Sequence, residues 1–538
     1  MTFSAPAAHL RNLSGVPILL VFGVLFVYPL LRFLLLPLVP ALGPLGSVGI
    51  AAPENFLSAH AILDTLQLAL VTAAVTVPAG ILFAFLLECR AWPGNRVLAM
   101  TLWLVFVLPS YLIATGFQIL LGWAVLRGSL VQHLFFSAPG IVLLLALKGL
   151  PFCVLAARTG WRAIGGEIGD AARIHINDSW HRRVLLRLLL PTAGAGFVIV
   201  FVEVLQDFGI AATLGAQIHL PLIIYAIYEQ LTTMPIDFAA AARLSWWLVL
   251  LAGLAVALHL GISLRYTSAL VHGRQREVLR PSCHGAEAVA ATIGLAALIT
   301  LGLAVPLGAL LAEALQPTHG AFLPLGTLTS LGNSAAYASV AASLAILLAT
   351  GLAARAGRSG RLRHALDVIT LGNMAVPGLV LGAAYVIAFN NAWAPLYGTP
   401  LLLVVGYVAT HAPMLVRFLQ PAFGQLHINL ADAGRVHGLG LPRRLQRICV
   451  PLLSKPLLWG WCLAFSQILF ELPVSELLYP AGRTPLGVQL LQLDQSLNYV
   501  TEARLALCGI LVCLTAIGVA ALLAADHPSP ALASQERS

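Results

Sequence analysis

Four carboxylates stand inside two apolar stretches of this sequence, residues 191–214 and 455–480: Glu203, Asp207, Glu471 and Glu476. A charge at the centre of a bilayer costs about 3 kcal/mol on insertion scales, so such residues usually face a cavity or a partner. Facing a pathway, they would supply transient ligands or an attractive field for a cation. Facing the protein, they would cap broken helices or bond across a bundle. The sequence leaves both interpretations open.

Signatures of nucleotide hydrolysis and of metal binding are missing from the sequence. Its two lysines, Lys148 and Lys455, do not follow a glycine, whereas a P-loop needs a Gly-Lys pair to hold phosphates. The seven cysteines include no CxxC pair, which argues against a zinc site and a disulfide framework. We therefore predict no catalytic residue, no metal site and no cofactor.

The rest of the chain is strongly apolar. Of its 538 residues, 59% are hydrophobic and 9% are charged, and its mean hydropathy is +0.91. Soluble domains carry about 25% charged residues, so much of this protein must face lipid. The formal charge of +9 is explained by membrane topology rather than by nucleic acid, because basic residues collect in cytoplasmic loops.

Twelve apolar runs are long enough for membrane spans, which need about 20 residues each. The runs fall near 15–39, 61–87, 97–123, 139–158, 191–214, 243–266, 286–315, 333–355, 366–391, 399–420, 455–480 and 504–525. We predict an all-α membrane protein of about 12 helices. The first run is counted as a span because it is longer than a signal-peptide core and lacks a clear cleavage site.

The basic residues predict the orientation of these spans. With a cytoplasmic N-terminus, the loops after even-numbered spans are cytoplasmic as well. Those loops and the two tails hold about 24 of the 30 lysines and arginines, as the positive-inside rule requires. We predict that both termini lie in the cytoplasm.

The second set of six runs repeats the first. Two prolines and two intramembrane carboxylates recur at matching offsets, as does a polar triplet at the head of the second span of each half. The aligned pairs are 64–66 with 333–335, Pro109 with Pro377, and Asp207 with Glu471. Because six is an even number of spans, the copies are parallel repeats about an axis along the membrane normal.

This repeat divides the chain into a first half, 1–266, a cytoplasmic linker, 267–285, and a second half, 286–538. Pro109 and Pro377 are predicted to kink the third span of each half. A kink can act as a gate hinge, although proline also occurs in membrane helices for packing reasons.

The loops after spans 4 and 10 are the longest polar cytoplasmic segments of the two halves. In both, small residues and an arginine follow an acid, so that another protein can approach closely and the acid can cap a short docking helix. The first copy contains Asp170, Ala171, Ala172, Arg173 and Trp180. The second contains Asp432, Ala433, Gly434, Arg435, Gly438 and Pro451.

Both loops resemble the "EAA" loop of permease subunits from binding-protein-dependent ABC importers. The second copy keeps the family's spacing of Gly and Pro, the first has Ile176 in place of the Gly, and both use Asp for Glu. The resemblance implies the type I ABC importer permease fold, with two fused six-helix halves in a bacterial inner membrane. It also implies that each loop inserts into a cleft of a cytoplasmic ATPase.

Three further stretches resemble the iron(III) branch of these permeases, which includes thiamine and related permeases. They are residues 205–209 (LQDFG), 375–378 (AVPG) and 470–473 (FELP), the last with Phe470 where that branch has Lys. The resemblance implies import of iron(III), with thiamine, a polyamine, a phosphonate or another small solute as alternatives.

The same resemblance implies the partners: a cytoplasmic ABC ATPase, expected as a dimer, a periplasmic or lipid-anchored substrate-binding protein, and the lipid bilayer, without nucleic acid. A secondary transporter of the major facilitator type is the first rival. It would carry signature basic and acidic loops after spans 2 and 8, and residues 88–96 lack that pattern. A membrane enzyme would need clustered histidines or carboxylates at one face, and none stands out.

Overall fold

The computed structural model describes residues 23–39, 55–175, 178–266, 280–317, 321–356, 372, 376–425 and 450–525. Helices dominate these residues. The strands within them are limited to one antiparallel pair, β1 (Asn390–Asn391) with β2 (Ala394–Pro395). The predicted all-α membrane fold is confirmed.

The helices of the first 320 residues alternate between long apolar segments and short connecting ones. In chain order they are α1 (Gly23–Leu34), α2 (Asn55–Cys89), α3 (Asn95–Val107), α4 (Ser110–Gly122), α5 (Leu130–Phe135), α6 (Ala138–His175), α7 (Asp178–Gln206), α8 (Phe208–Ile210), α9 (Ile223–Thr232), α10 (Phe238–Tyr266) and α11 (Gly285–Ala314). A π-helical segment, Ala211–Gly215, extends α8, and another, Thr300–Ala304, lies within α11.

The remaining helices repeat this alternation. They are α12 (Leu325–Ala356), α13 (Gly378–Phe389), α14 (Pro400–Gln425), α15 (Val450–Leu469), α16 (Pro473–Leu478), α17 (Leu486–Gln495) and α18 (Tyr499–Ala525). The order long, short, short, long of α7 to α10 recurs in α15 to α18, as expected for a duplicated unit.

Among the described residues, nine helices are long and apolar enough to cross a membrane. The bent pair α3 and α4 forms a tenth candidate, and α1 and α13 are shorter apolar helices. These twelve segments overlap the twelve predicted runs one by one. Large apolar side chains also cover their outer faces, among them Leu258, Leu347 and Leu522, each more than 60% exposed, as a lipid-facing surface requires.

Contacts divide the described chain into two compact units that do not follow chain order. The first-half unit takes its residues from Val48–Gly320 and Leu491–Arg504. The second-half unit takes its residues from Met1–Ser47, Ala321–Leu490 and Leu505–Ser538. Thus α1 groups with helices of the predicted second half, and α11 with those of the predicted first half. The boundaries 1–266, 267–285 and 286–538 remain a prediction about the repeat in the sequence.

Side-chain contacts hold α1 in the second-half unit and α11 in the first-half unit. In the second-half unit, the hydroxyl of Tyr385 on α13 donates a 2.6 Å hydrogen bond to the carbonyl of Leu25 on α1. In the first-half unit, Arg90, just after α2, forms a 2.7 Å ion pair with Glu287 in the first turn of α11. Both contacts join residues that are far apart in the sequence.

Close packing of small residues builds the helix bundles of both units. In the first-half unit, a Cβ at Gly80 of α2 would lie 2.5 Å from Sγ of Cys153 on α6, so only glycine allows this approach. In the second-half unit, a stripe of alanines on α12 is completely buried: Ala338, Ala341, Ala342, Ala345 and Ala349. Small residues let membrane helices approach closely, because burial of apolar surface drives little association in lipid.

The repeat is confirmed by a contact that occurs once in each unit. The hydroxyl of Thr65 on α2 accepts a 2.9 Å hydrogen bond from the backbone N–H of Ile223, the first residue of α9. The hydroxyl of Ser334 on α12 accepts a 2.6 Å bond from the N–H of Leu486, the first residue of α17. The aligned triplets 64–66 and 333–335 therefore have the same role. Each supplies a hydroxyl that accepts a hydrogen bond from the first backbone N–H of a short helix.

Candidate functional site

The third span is broken at Pro109. Helix α3 ends at Val107 and α4 begins at Ser110, and the two axes differ by 96°. Pro109 has extended backbone angles, φ −61° and ψ 144°, and offers no N–H to continue the helix. Pro377 has nearly the same angles, φ −58° and ψ 142°, directly before α13. The predicted kink at Pro109 is confirmed and is a complete break, whereas a gating role stays a prediction.

Lys148 of α6 closes the end of α3. Its ammonium group donates hydrogen bonds to the carbonyl oxygens of Phe106, at 2.8 Å, and Leu108, at 2.9 Å. A helix end inside an apolar medium leaves such carbonyls without partners. One buried lysine therefore satisfies two backbone acceptors at the break.

Asp207 joins this break to a second one. Helix α7 ends at Gln206, and the Asp207 carboxylate accepts a 2.8 Å bond from the N–H of Ile210, which caps α8. The same oxygen accepts a 3.1 Å bond from the hydroxyl of Ser110, the first residue of α4. A Cβ at Gly209 would lie 2.8 Å from that hydroxyl oxygen, so glycine permits the close approach.

Three charged groups meet beside these breaks, and we call them the Lys148 cluster: Lys148, Glu203 and Asp207. Lys148 interacts electrostatically with both carboxylates, and the two carboxylates interact with each other. Glu203 lies on α7, one helical turn before Asp207, which directly follows the end of that helix. Opposite charges that share a poorly solvated site stabilise one another, which explains how the carboxylates are accommodated there.

Glu471 occupies the corresponding break in the second-half unit. Helix α15 ends at Leu469, and the buried Glu471 carboxylate accepts bonds from the N–H groups of Val474, at 2.8 Å, and Ser475, at 2.9 Å. These bonds cap α16. The Ser475 hydroxyl lies 2.6 Å from Glu471 Oε2 and 2.7 Å from the hydroxyl of Tyr407 on α14. Asp207 and Glu471 thus perform the same capping role.

The two breaks differ in their charges. Lys148 lies about 22 residues before Asp170 in the first half. The residue at the same distance before Asp432 in the second half is Thr410, which is uncharged. Glu476 lies on α16 and is half-buried. Capping accounts for the positions of Asp207 and Glu471, and contact of any of the four predicted carboxylates with a substrate stays a prediction.

The first predicted coupling loop is helical. Helix α6 continues to His175, so residues Asp170, Ala171, Ala172 and Arg173 form its last turns, and Trp180 lies in the first turn of α7. The expectation that Asp170 caps a separate short helix is wrong, because Ala and Arg are strong helix formers and α6 runs on through them. Coupling to an ATPase stays a prediction for this segment.

The second coupling loop lies mostly outside the described residues. This applies to Asp432, Ala433, Gly434, Arg435 and Gly438. Pro451 is described and is the second residue of α15. Proline suits the first turn of a helix, where its missing N–H has no partner to lose.

An ion-pair cluster fixes the part of α6 that leads to Asp170. Glu88, near the end of α2, binds Arg158 and Arg162 of α6 and lies 3.7 Å from the Arg280 guanidinium. The contacts bring together the ends of spans 2 and 4 and the start of the segment before α11. The sequence predicts all three on one side of the membrane, and that this side is the cytoplasm stays a prediction.

Sequence reasoning missed a group of buried polar residues in the first-half unit. The hydroxyl of Thr115 on α4 donates a 3.0 Å bond to Glu502 on α18, and Asp494 of α17 interacts electrostatically with Glu502. Both carboxylates are at least 96% buried. The predicted last span began near 504, whereas α18 begins at Tyr499. A span drawn five residues earlier would have placed Glu502 among the intramembrane carboxylates.

Lys148→Met tests whether this lysine holds the broken span. The change leaves two carbonyls and two carboxylates without their cation, and removal of one partner of a buried ion pair costs about 3–5 kcal/mol. We expect a clear fall in the thermal unfolding midpoint of the purified chain in detergent. Lys455→Met is the matched control, since Lys455 is exposed. Equal midpoints for the two variants would contradict the role given to Lys148.

Glu471→Gln and Glu471→Leu separate capping from charge. The glutamine keeps one oxygen at the N-terminus of α16, whereas the leucine removes every acceptor. Loss of a helix cap costs about 1–2 kcal/mol, so we expect E471L to lower the unfolding midpoint more than E471Q. If E471Q unfolds as early as E471L, the negative charge rather than the cap stabilises this break.

Comparison with known proteins agrees with this architecture. Residues 341–532 match the family described as the binding-protein-dependent transport system inner membrane component. A probable ABC transporter permease of Sinorhizobium fredii is 25% identical over 532 residues, which cover 89% of this chain and 92% of that protein.

Two further relatives carry substrates in their names. A thiamine transport system permease of Brucella suis is 26% identical over 420 residues, covering 75% of this chain and 72% of the relative. A putative ferric transport system permease of Haemophilus influenzae is 26% identical over 304 residues, covering 53% and 47%. With the repeated helices described above, these matches support a multi-pass, fused permease similar to those of binding-protein-dependent ABC importers and related to thiamine and ferric permeases.

Proposed function

We propose that this permease forms the translocation path of an importer that carries a small cation into the cytoplasm. The observation that carries the proposal is the duplicated set of broken spans, each ending in a carboxylate, within a chain related to cation permeases. Broken helices at corresponding places in two repeats are a recurrent feature of substrate sites in transporters. The carboxylates Glu203, Asp207, Glu471 and Glu476 would attract a positively charged solute.

ATP hydrolysis is assigned to a separate cytoplasmic ATPase dimer, and substrate capture to a periplasmic or lipid-anchored receptor. The sequence supports this division, because it has no Gly-Lys pair with which to hold nucleotide phosphates. In the proposed orientation both termini are cytoplasmic in a bacterial inner membrane. The segments at Asp170 and Asp432 then face the ATPase.

Helix α6 supports a direct mechanical coupling. It contains both Asp170, at the proposed ATPase surface, and Lys148, at the break of the third span. At 1.5 Å per residue these positions are about 33 Å apart along one helix. ATP-driven closure of the ATPases would displace the tip of α6 and, through Lys148, the ends of α3 and α4. Alternating access would follow, with the outward-facing state formed when ATP is bound.

Iron(III) is the substrate that the sequence motifs favour, and thiamine is the second candidate. The relatives named for thiamine align over 75% of this chain, and those named for ferric iron over 53%. Among the described residues no group of three or more His, Cys, Asp or Glu side chains could hold a metal ion. This second observation favours thiamine or another organic cation over a bare ferric ion in the path.

Ala433→Arg tests the coupling loop. A bulky cation in place of a small residue would keep the ATPase surface away, so we expect loss of uptake and of ATPase co-purification, with normal membrane insertion. Ala171→Arg makes the same change in the first copy and compares the two loops. Ala286→Arg is the control, because Ala286 is exposed on α11 outside both loops. Normal uptake by A433R would contradict the docking assignment.

Uptake measurements test the function and its substrate. We expect ATP-dependent accumulation of a labelled cation in vesicles that contain the chain with its ATPase and receptor, measured separately for iron(III) and thiamine. Uptake that continues without ATP would contradict the proposal and favour a secondary transporter. Accumulation of an anion such as a phosphonate, without uptake of iron(III) or thiamine, would contradict the cationic substrate. The assignment as an ATP-dependent importer would still stand.

A further inference from the structure

Four buried polar side chains of the first-half unit form a group that we call the Glu502 cluster: Thr115, Gln118, Asp494 and Glu502. Thr115 and Gln118 lie on α4 three residues apart, so they share one face of that helix. The hydroxyl of Thr115 faces Glu502, with a 3.0 Å hydrogen bond to Oε1. Asp494 acts electrostatically on Glu502. The exposed fraction is 5% or less for all four residues.

Several polar atoms of this cluster lack hydrogen-bond partners within the described chain. They are both amide atoms of Gln118, Oδ1 of Asp494 and Oε2 of Glu502. Leaving a buried donor or acceptor unsatisfied costs about 1–3 kcal/mol, and more for a charged group. Gln118, Asp494 and Glu502 together leave four buried polar atoms unsatisfied, an expensive arrangement that a bound polar ligand would relieve.

Within the described chain, the groups that act on the Glu502 carboxyl carry no positive charge. The described groups that act on its carboxyl are Asp494 and Thr115. Tyr499, one turn earlier on α18, interacts with both carboxylates and is itself bonded to Gln217. Two residues further on, Arg504 donates from Nε to the carbonyl of Ala314 at 2.9 Å and from Nη2 to that of Gln316 at 2.6 Å. These bonds cap the end of α11.

We infer that the Glu502 cluster is a binding site for an organic cation that carries N–H donors. Asp494 and Glu502 neutralise the positive charge, their open oxygens accept N–H bonds, and the Gln118 amide supplies one further acceptor and one donor group. With two carboxylates and no histidine or cysteine, the cluster does not match the nitrogen and sulfur ligand sets of structural zinc sites. The inference rests on the proposed function, because it assigns the substrate class of the same transport path.

Binding to the purified full chain in nanodiscs tests the site. The probes are thiamine and spermidine, which carry N–H donors, tetramethylammonium, which has none, and ferric citrate. We expect the first two to bind, and Glu502→Gln, Asp494→Asn and Gln118→Leu each to weaken binding about tenfold or more, since hydrogen bonds to charged groups contribute on that scale. Glu229→Gln is the control, an exposed carboxylate on α9, and should bind as the wild type does.

Thermal unfolding of the same samples distinguishes a ligand site from a structural one. E502Q and D494N keep the size of the side chain and remove a buried charge beside another, so we expect unliganded midpoints equal to or above that of the wild type. The rise in midpoint on addition of thiamine or spermidine should disappear in both. Lower unliganded midpoints with an unchanged rise would assign the cluster a structural role and overturn the inference.

Uptake assays distinguish failure of this inference from failure of the proposed function. ATP-dependent uptake that E502Q and D494N leave unchanged would overturn the site while the importer assignment stands. Uptake that does not need ATP would overturn the importer assignment itself. Binding of ferric citrate alone, or of none of the four probes, would also overturn the site.

Discussion

The architecture depends on how backbone groups are satisfied where a helix stops inside an apolar medium. Water is not available there, so every free carbonyl or N–H must find a partner in the protein. Lys148 supplies two donors to the end of α3, and Asp207 accepts a bond from the backbone N–H of Ile210 in α8 and another from the side-chain hydroxyl of Ser110 on α4. Glu471 does the same for α16. Without these side chains the interrupted spans would be unstable.

Because of this requirement, a charged residue within a membrane span can have a structural role as a helix cap. A carboxylate that caps a helix is held in one orientation by its N–H donors, and its charge is offset by the positive end of that helix. Asp207 and Glu471 are fixed in this way, and Lys148 offsets Asp207 further. Capping and substrate contact are therefore compatible, since a rigid, partly compensated carboxylate can attract a passing cation without trapping it.

Local patterns in the sequence predict the spans, the repeat and the breaks. Apolar runs mark the helices, and Pro109 marks the interruption of the third span, because proline alters the backbone whatever surrounds it. The alignment of 64–66 with 333–335 is also a local signal, and the matching contacts of Thr65 and Ser334 agree with it.

Contacts between distant segments are not visible in such patterns. The composition of α1 and α11 does not show which unit each will join, since both are mainly apolar and many partners would fit. The role of Lys148 cannot be read from the sequence, because its hydrogen-bond partners are backbone carbonyls, which carry no residue identity. Glu502 was missed for a different reason: hydropathy places the start of a span only approximately, and the carboxylate lies within that margin.

The two halves have diverged, and fusion into one chain explains how that is permitted. In a dimer of identical six-helix chains, every substitution would appear twice about the axis. Here Lys148 has Thr410 as its counterpart, and the segment around Asp170 departs from the spacing of Gly and Pro that the segment around Asp432 keeps. In the first-half unit Lys148 interacts with the carboxylates of Glu203 and Asp207, whereas in the second-half unit the Glu471 carboxylate is bonded to two backbone N–H groups and to the Ser475 hydroxyl. A fused permease can therefore carry different charges in its two halves, because a substitution in one half is not repeated in the other.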